Sequence, residues 1–203
     1  MMEKINYQVV LDKKLKEISS QHNVPILLLH SCCAPCSSYV LEYLSEYFNI
    51  IILFYNPNIM PFDEYNLRLN EQKKLVSRLK TKNSVKVVEG EYDVNDFLEA
   101  VKGLEDEPEG GARCEKCFRL RLNEAAVFSR ELGVDYFTTT LTVSPHKNSQ
   151  LINAIGQGIS EKYGVEYLQS DFKKRNGYKR SIELSKQYNL YRQNYCGCIY
   201  SKS

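Results

Sequence analysis

The stretch that decides the fold is Pro25-Ile26-Leu27-Leu28-Leu29-His30-Ser31-Cys32-Cys33-Ala34-Pro35-Cys36. An apolar run ends in three cysteines within five residues, and the amphipathic segment Ser37 to Phe48 follows. The order predicts a buried strand over about 25–30, a tight turn, and a helix over about 35–48. The thiols then sit at the C-terminal end of a strand and the start of a helix. Open α/β sheets bind ligands at that edge, and the partial positive charge of a helix N-terminus favours thiolate.

Working outward, apolar runs and amphipathic runs alternate. Asn49-Ile50-Ile51-Ile52-Leu53-Phe54-Tyr55 predicts a second strand, ending in the polar turn Asn56-Pro57-Asn58. Glu64 to Lys82 predicts a helix, Val85 to Val88 a third strand, and Val94 to Lys102 another helix. The acidic, Pro- and Gly-bearing stretch Glu105 to Gly111 predicts a loop leading to Arg113-Cys114-Glu115-Lys116-Cys117, with a helix from there to Leu132 and Gly133 as its C-terminal stop. Tyr136 to Leu141 predicts a fourth strand, residues 149–163 a helix, and Val165 to Leu168 a fifth strand. A last helix to about Asn189 follows the basic loop Lys173 to Arg180. This alternation predicts an α/β fold: a mostly parallel, twisted sheet with helices on both faces. Residues 1–24, with Leu11, Leu15 and Ile18 at helical spacing, predict an N-terminal helical extension. Residues 25–203 are expected to form a single α/β domain with a cysteine-bearing loop near 103–120.

Of 203 residues, 43% are hydrophobic and 26% charged, as in ordinary globular chains. No apolar run approaches the ~18 residues a membrane span needs. The N-terminal sequence has no signal-peptide core, so a cytoplasmic location is the expectation. A net charge of +2 neither demands nor excludes a nucleic-acid partner.

The 7 cysteines fall into groups: Cys32, Cys33 and Cys36; Cys114 and Cys117; Cys196 and Cys198. In a reducing compartment such grouping points to metal or redox chemistry rather than a disulfide framework. C-C-x-x-C and C-x-x-C together offer four or more thiolates to zinc or an iron–sulfur cluster; the plain alternative is a set of buried thiols. Cys196-Gly197-Cys198 suits a strained, easily reduced pair. Two further metal ligands, or spare tail thiols, are the other readings. Ser144-Pro145-His146-Lys147-Asn148 reads equally as a phosphate-holding turn or an ordinary capped one. The basic stretch 173–180, with Tyr178 inside it, reads as an RNA contact or as a solvated loop. Gly156-Gln157-Gly158 falls mid-helix and is no dinucleotide fingerprint. His30 reads as a hydrogen-bonded strand end.

His30-Ser31-Cys32-Cys33-Ala34-Pro35-Cys36, Tyr55-Asn56-Pro57-Asn58-Ile59, Arg113 to Leu122, Thr138 to Asn148, Ser170 to Lys174 and Tyr191 to Cys198 together resemble the non-cobalamin epoxyqueuosine reductases, the QueH family. The resemblance runs from about residue 26 to 200. It implies a nucleotide α-hydrolase (HUP)-like fold. It implies reduction of the epoxide of epoxyqueuosine at the tRNA wobble position, the last step of queuosine biosynthesis. Cys32, Cys33, Cys114 and Cys117 would hold a [4Fe–4S] cluster, and Cys196 with Cys198 would form a redox-active disulfide. Cys36 is left over, as the suggested ligand of a second iron. His146, Tyr178 and Asp171 are the candidates for protonating the leaving oxygen. The implied partners are tRNA carrying epoxyqueuosine and an unidentified electron donor, with no membrane. The cysteine turn occupies the place of a glycine-rich phosphate loop but has no glycine, so ATP is not expected. The rival readings are an iron–sulfur tRNA thiolation enzyme and a zinc-stabilised RNA-binding protein.

Overall fold

A computed structural model describes residues 4–201. Residues 1–3 of the N-terminal segment, and 202–203, lie outside the described residues. Among the described residues, β1 (Ile26–His30), β2 (Asn49–Phe54), β3 (Val85–Glu89), β4 (Tyr136–Thr139) and β5 (Glu166–Tyr167) form one sheet in the order β3-β2-β1-β4-β5. Every pairing is parallel, with Leu28 of β1 opposite Ile51 on one side and Phe137 on the other. The chain winds outward from β1 to β3, then crosses back to start again at β4. That reversal opens a crevice between the C-terminal ends of β1 and β4.

Side chains of a strand alternate between faces, and β1 sorts its leucines accordingly. Leu27 and Leu29 pack with α1 (Tyr7–Ser19), α2 (Ala34–Leu44) and α3 (Phe62–Arg78); Leu28 packs with α5 (Ala112–Leu132) and α6 (Ser149–Tyr163). Helices therefore cover both faces. α1 buries Leu11, Leu15 and Ile18 in the first of these layers, worth roughly 1.5–3 kcal/mol for each side chain fully removed from water. α4 (Val94–Ala100) precedes the acidic loop, and α7 (Gly177–Gln187) lies against α2. Among the described residues no helix is long and apolar enough to cross a membrane.

Several helices and β5 end short of expectation, α2 at Leu44 and α3 at Arg78 among them, and three differences lie near the sheet rim. α5 begins at Ala112, so Cys114 and Cys117 sit in its first turns rather than on a loop. Arg113 makes this possible: its buried guanidinium donates to the carbonyl oxygens of Leu104, Glu105 and Glu107, tying the acidic loop over the helix start. β4 stops at Thr139 and residues 140–143 turn as a 3-10 helix, because the Thr139 hydroxyl accepts from the Leu141 amide. α7 starts at Gly177, inside the basic stretch.

Candidate metal centre and redox tail

The cysteine turn is built at the sheet reversal. His30 ends β1 fully buried, with Nδ1 2.9 Å from Thr139 Oγ1 and Nε2 3.1 Å from the Tyr55 carbonyl oxygen. Burial drives its pKa down to about 3, so the ring stays neutral and serves as a scaffold. Next to it, Ser31 and Ser37 both donate to Gln72 Oε1, at 2.8 and 2.7 Å. Asn56 Nδ2 donates to the Ser31 carbonyl oxygen at 2.8 Å, and Arg121 Nη1 donates to Asn56 Oδ1 at 3.3 Å. This chain of bonds ties together the turn after β1, the turn after β2, α3 and α5.

Cys33 is the extended residue before α2, with Pro35 in the helix's first turn, where its missing N–H is not needed. The sulfurs of Cys32, Cys33 and Cys36 all lie within 4.8 Å of one another. Cys32 Sγ is 3.8 Å from Cys33 Sγ and 3.5 Å from Thr140 Oγ1, across the β1/β4 crevice. Hydrogen bonds from Cys33 and Cys36 lower the Cys32 pKa, while the bond to Cys32 pushes Cys33 up to about 12 and Cys36 upward.

A cavity of about 500 Å³ opens above this turn and is lined by Cys32, Cys36, Cys114, Cys117, Cys196 and Cys198, with Cys33 buried beside it. Three distant parts of the chain thus bring thiols to one place. Cys114 Sγ accepts from the Gly110 amide at 3.2 Å, and burial raises the pKa of Cys117. Cys114 and Cys117 share the cavity without joining the tight triad.

The tail is clamped from α3 and the turn before it. Gly197 has φ +105°, and a Cβ there would lie 2.8 Å from Ile59 Cγ1. Its carbonyl oxygen accepts from the Met60 amide at 3.1 Å. All seven cysteines are thiols here, so the Cys196–Cys198 bond implied by the resemblance is not formed in this structure. A hydrogen bond from Cys198 instead holds Cys196 down at about 4 and keeps the Cys198 proton on.

Two cations face the sulfurs. Arg121 is buried, and burial opposes its charge. The charges of Cys117, Cys32, Cys196 and Cys114 more than offset that and raise its pKa. Lys147 lines the cavity from the turn before α6. Asn148 caps α6 by accepting from the Gln150 and Leu151 amides, so this turn is a capped one. Of the three acid candidates, His146 and Tyr178 line the cavity. Asp171 does not; its oxygens accept from Ser149 and Lys173. In the basic stretch, Lys173, Arg175 and Arg180 are ion-paired to Asp171, Asp12 and Glu42, whereas Lys174 and Lys179 are exposed without carboxylate partners among the described residues. Gly156 lies within α6 against the Tyr167 ring, a packing role.

Sequence reading missed Thr140, Gln72, Arg68 and Arg121. Nothing in the spacing of a lone threonine, glutamine or helical arginine points to a site; only the fold carries them to it. The donor set, soft thiols around one cavity with compensating cations, fits an iron–sulfur cluster or a thiophilic metal.

Residues 27–203 match the family model described as "Epoxyqueuosine reductase QueH". The protein of that name from Streptococcus pyogenes serotype M1 is 48% identical over 201 residues, covering 98% of this chain and 79% of that one. Its counterpart from Staphylococcus epidermidis is 48% identical over 203 residues, covering 98% and 85%. The one from Thermotoga maritima is 39% identical over 181 residues, covering 86% and 89%. Among solved structures, the U34-tRNA thiolase NcsA from Methanococcus maripaludis with its [4Fe-4S] cluster superimposes with TM-score 0.53 at 14% identity, over 96% of this chain and 69% of that one, a likeness of fold.

Proposed function

This chain belongs to the QueH family of epoxyqueuosine reductases, and on that premise we propose how its thiols carry the reaction. The enzyme reduces the epoxide of epoxyqueuosine, at the wobble position of tRNA, to the alkene of queuosine. Two electrons and two protons enter and one water leaves. The observation that carries the reading is the meeting of three distant cysteine groups on one cavity at the sheet reversal.

Cys32, Cys33, Cys114 and Cys117 are the proposed ligands of a [4Fe–4S] cluster. Cys36, third member of the triad, is the thiol left to hold a second iron. When bound, such a group supplies single electrons, and an open iron supplies a Lewis acid. The buried cation of Arg121 lowers the electrostatic cost of gathering thiolates there. Cys196 and Cys198 are the proposed redox pair. Closing their disulfide releases two electrons and the one proton that Cys198 holds, which with a second proton from solvent balances conversion of the epoxide to alkene and water. A reductant outside the chain then restores the dithiol.

For the RNA partner, the exposed cations Lys174 and Lys179 flank Tyr178 at the cavity rim, and they are the proposed phosphate contacts. Acting on tRNA, the enzyme is assigned to the cytoplasm.

Nucleoside analysis of tRNA after deletion of the protein tests the activity. Accumulated epoxyqueuosine is expected, and normal queuosine overturns it. Iron and sulfide analysis of protein kept free of oxygen tests the cofactor; colourless protein holding one zinc would replace it with the structural-zinc reading.

A further inference from the structure

We propose that Lys147 is a catalytic residue of this cavity, its ammonium group taking up the negative charge that develops on the epoxide oxygen as the C–O bonds break. The inference rests on the epoxyqueuosine reductase reading.

Five lysine and arginine side chains line the cavity: Arg68, Arg113, Arg121, Lys147 and Arg192. Three of them are committed to buried or backbone partners, and a fourth, Arg192, is exposed with one serine bond. Arg68 holds Glu64 and the carbonyl oxygens of Tyr195 and Cys196. Arg113 holds the acidic loop, Arg121 holds the Cys117 carbonyl oxygen and Asn56, and Arg192 donates to Ser185 Oγ. Lys147 is half-buried, and its Nζ makes no hydrogen bond or carboxylate ion pair among the described residues. An ammonium has three N–H donors and accepts nothing, so this group has donors to offer to an incoming oxygen.

Its backbone is held rigidly. The Lys147 amide donates to the Ser144 carbonyl oxygen at 3.3 Å, and the neighbouring Asn148 side chain caps α6. The amides of Gln150 and Leu151 are taken by that cap, so this turn faces the cavity with side chains, Lys147 and His146 among them. Lys147 lines the same cavity as Cys32 and Cys36 of the triad and Cys196 and Cys198 of the tail.

Opening an epoxide puts charge on oxygen before water can leave. In a concave site that removes part of the solvent, a donor within reach of that oxygen lowers the barrier more than it would in water. The balance is complete with the thiol pair and solvent. Both C–O bonds break, the C=C bond forms, and the Cys196 thiolate and Cys198 thiol give two electrons and one proton while their S–S bond closes, the second proton coming from solvent. The oxygen leaves as water, and Lys147 keeps its proton throughout.

A counter-ion for the thiols, or a hold for substrate phosphate, would use the same charge differently. The test uses Lys147→Met and Lys147→Arg in anaerobically loaded protein with tRNA carrying epoxyqueuosine. Iron and sulfide content, midpoint potential, kcat and KM are measured. The expectation for Lys147→Met is unchanged iron and potential, KM within about twofold, and kcat lower by roughly 10²–10³-fold, the range for removing one such donor. Lys147→Arg recovers at least tenfold of that loss. Iron or potential falling with the rate, a raised KM at constant kcat, or an unchanged kcat each overturns the inference. Absence of turnover in the unsubstituted protein overturns the reductase reading itself.

Discussion

Arg68 of α3 donates from Nη1 to the carbonyl oxygen of Cys196 at 3.1 Å, joining residues 128 positions apart. The guanidinium is 1% exposed, with Nε also held by Glu64 at 2.7 Å. The cysteine-bearing tail is therefore anchored in part through a buried cation. Arg68→Met removes the clamp and leaves Glu64 without its cation, at a cost of roughly 3 kcal/mol. Urea denaturation checks the stability. Faster reaction of Cys196 and Cys198 with a thiol reagent, at unchanged reactivity of Cys36, checks the local release.

Gly197→Ala strains the same turn from within. At φ +105° an L side chain is disfavoured, and the added Cβ meets Ile59 Cγ1 at 2.8 Å. The expected outcome is loss of most turnover with iron content preserved, since the proposed cluster ligands lie elsewhere. Equal loss of iron would mean that the tail also supports the metal site.

The two thiol groups separate by substitution. Cys114→Ala loses iron and turnover together, read by iron analysis and absorbance near 400 nm. Cys196→Ser keeps the iron and loses turnover. Retained turnover in Cys196→Ser removes the dithiol from the reaction.

The sheet was legible because its strands are short apolar runs, such as Ile50 to Phe54, between amphipathic segments. A parallel sheet buried on both faces writes itself that way. The cysteine groups were legible because three clusters of one scarce residue type stand out at any distance. The start of α5 was hidden: Gly110-Gly111 reads as a loop, and only the Arg113 clamp shows why helix begins directly after it. The basic stretch 173–180 reads as eight near-equivalent positions. Ion pairs to Asp12 and Glu42, from distant segments, decide which of its cations are scaffold. Pairing across such separations leaves no trace in local pattern.

Acid should loosen the tail at Glu71. Burial opposes its ionisation, but bonds from Lys74 and the Tyr191 amide (2.9 Å) prevail and leave its pKa below the ordinary 4.5. A carboxylate with a depressed folded pKa contributes stability above the unfolded value and loses it as pH falls through the folded one. Hydrogen exchange at the Tyr191 amide is expected to accelerate, relative to the α3 core, as pH drops below 4.5. Glu71→Gln should show the fast exchange already at pH 7.

Lys174 and Lys179 carry the RNA contact if the sorting of the basic stretch is functional. Neither has a carboxylate partner among the described residues, whereas Arg175 is committed to Asp12. Each phosphate contact to single-stranded RNA contributes a slope of about −0.7 to log K against log salt. The double substitution Lys174→Gln with Lys179→Gln is expected to weaken binding of an anticodon stem-loop and flatten that slope by about 1.4. Arg175→Gln should leave the slope unchanged and lower stability slightly, as for an exposed pair. Equal flattening by Arg175→Gln would mean that RNA competes with Asp12 for its guanidinium. An unchanged slope in the double variant would move the RNA backbone to another part of the rim.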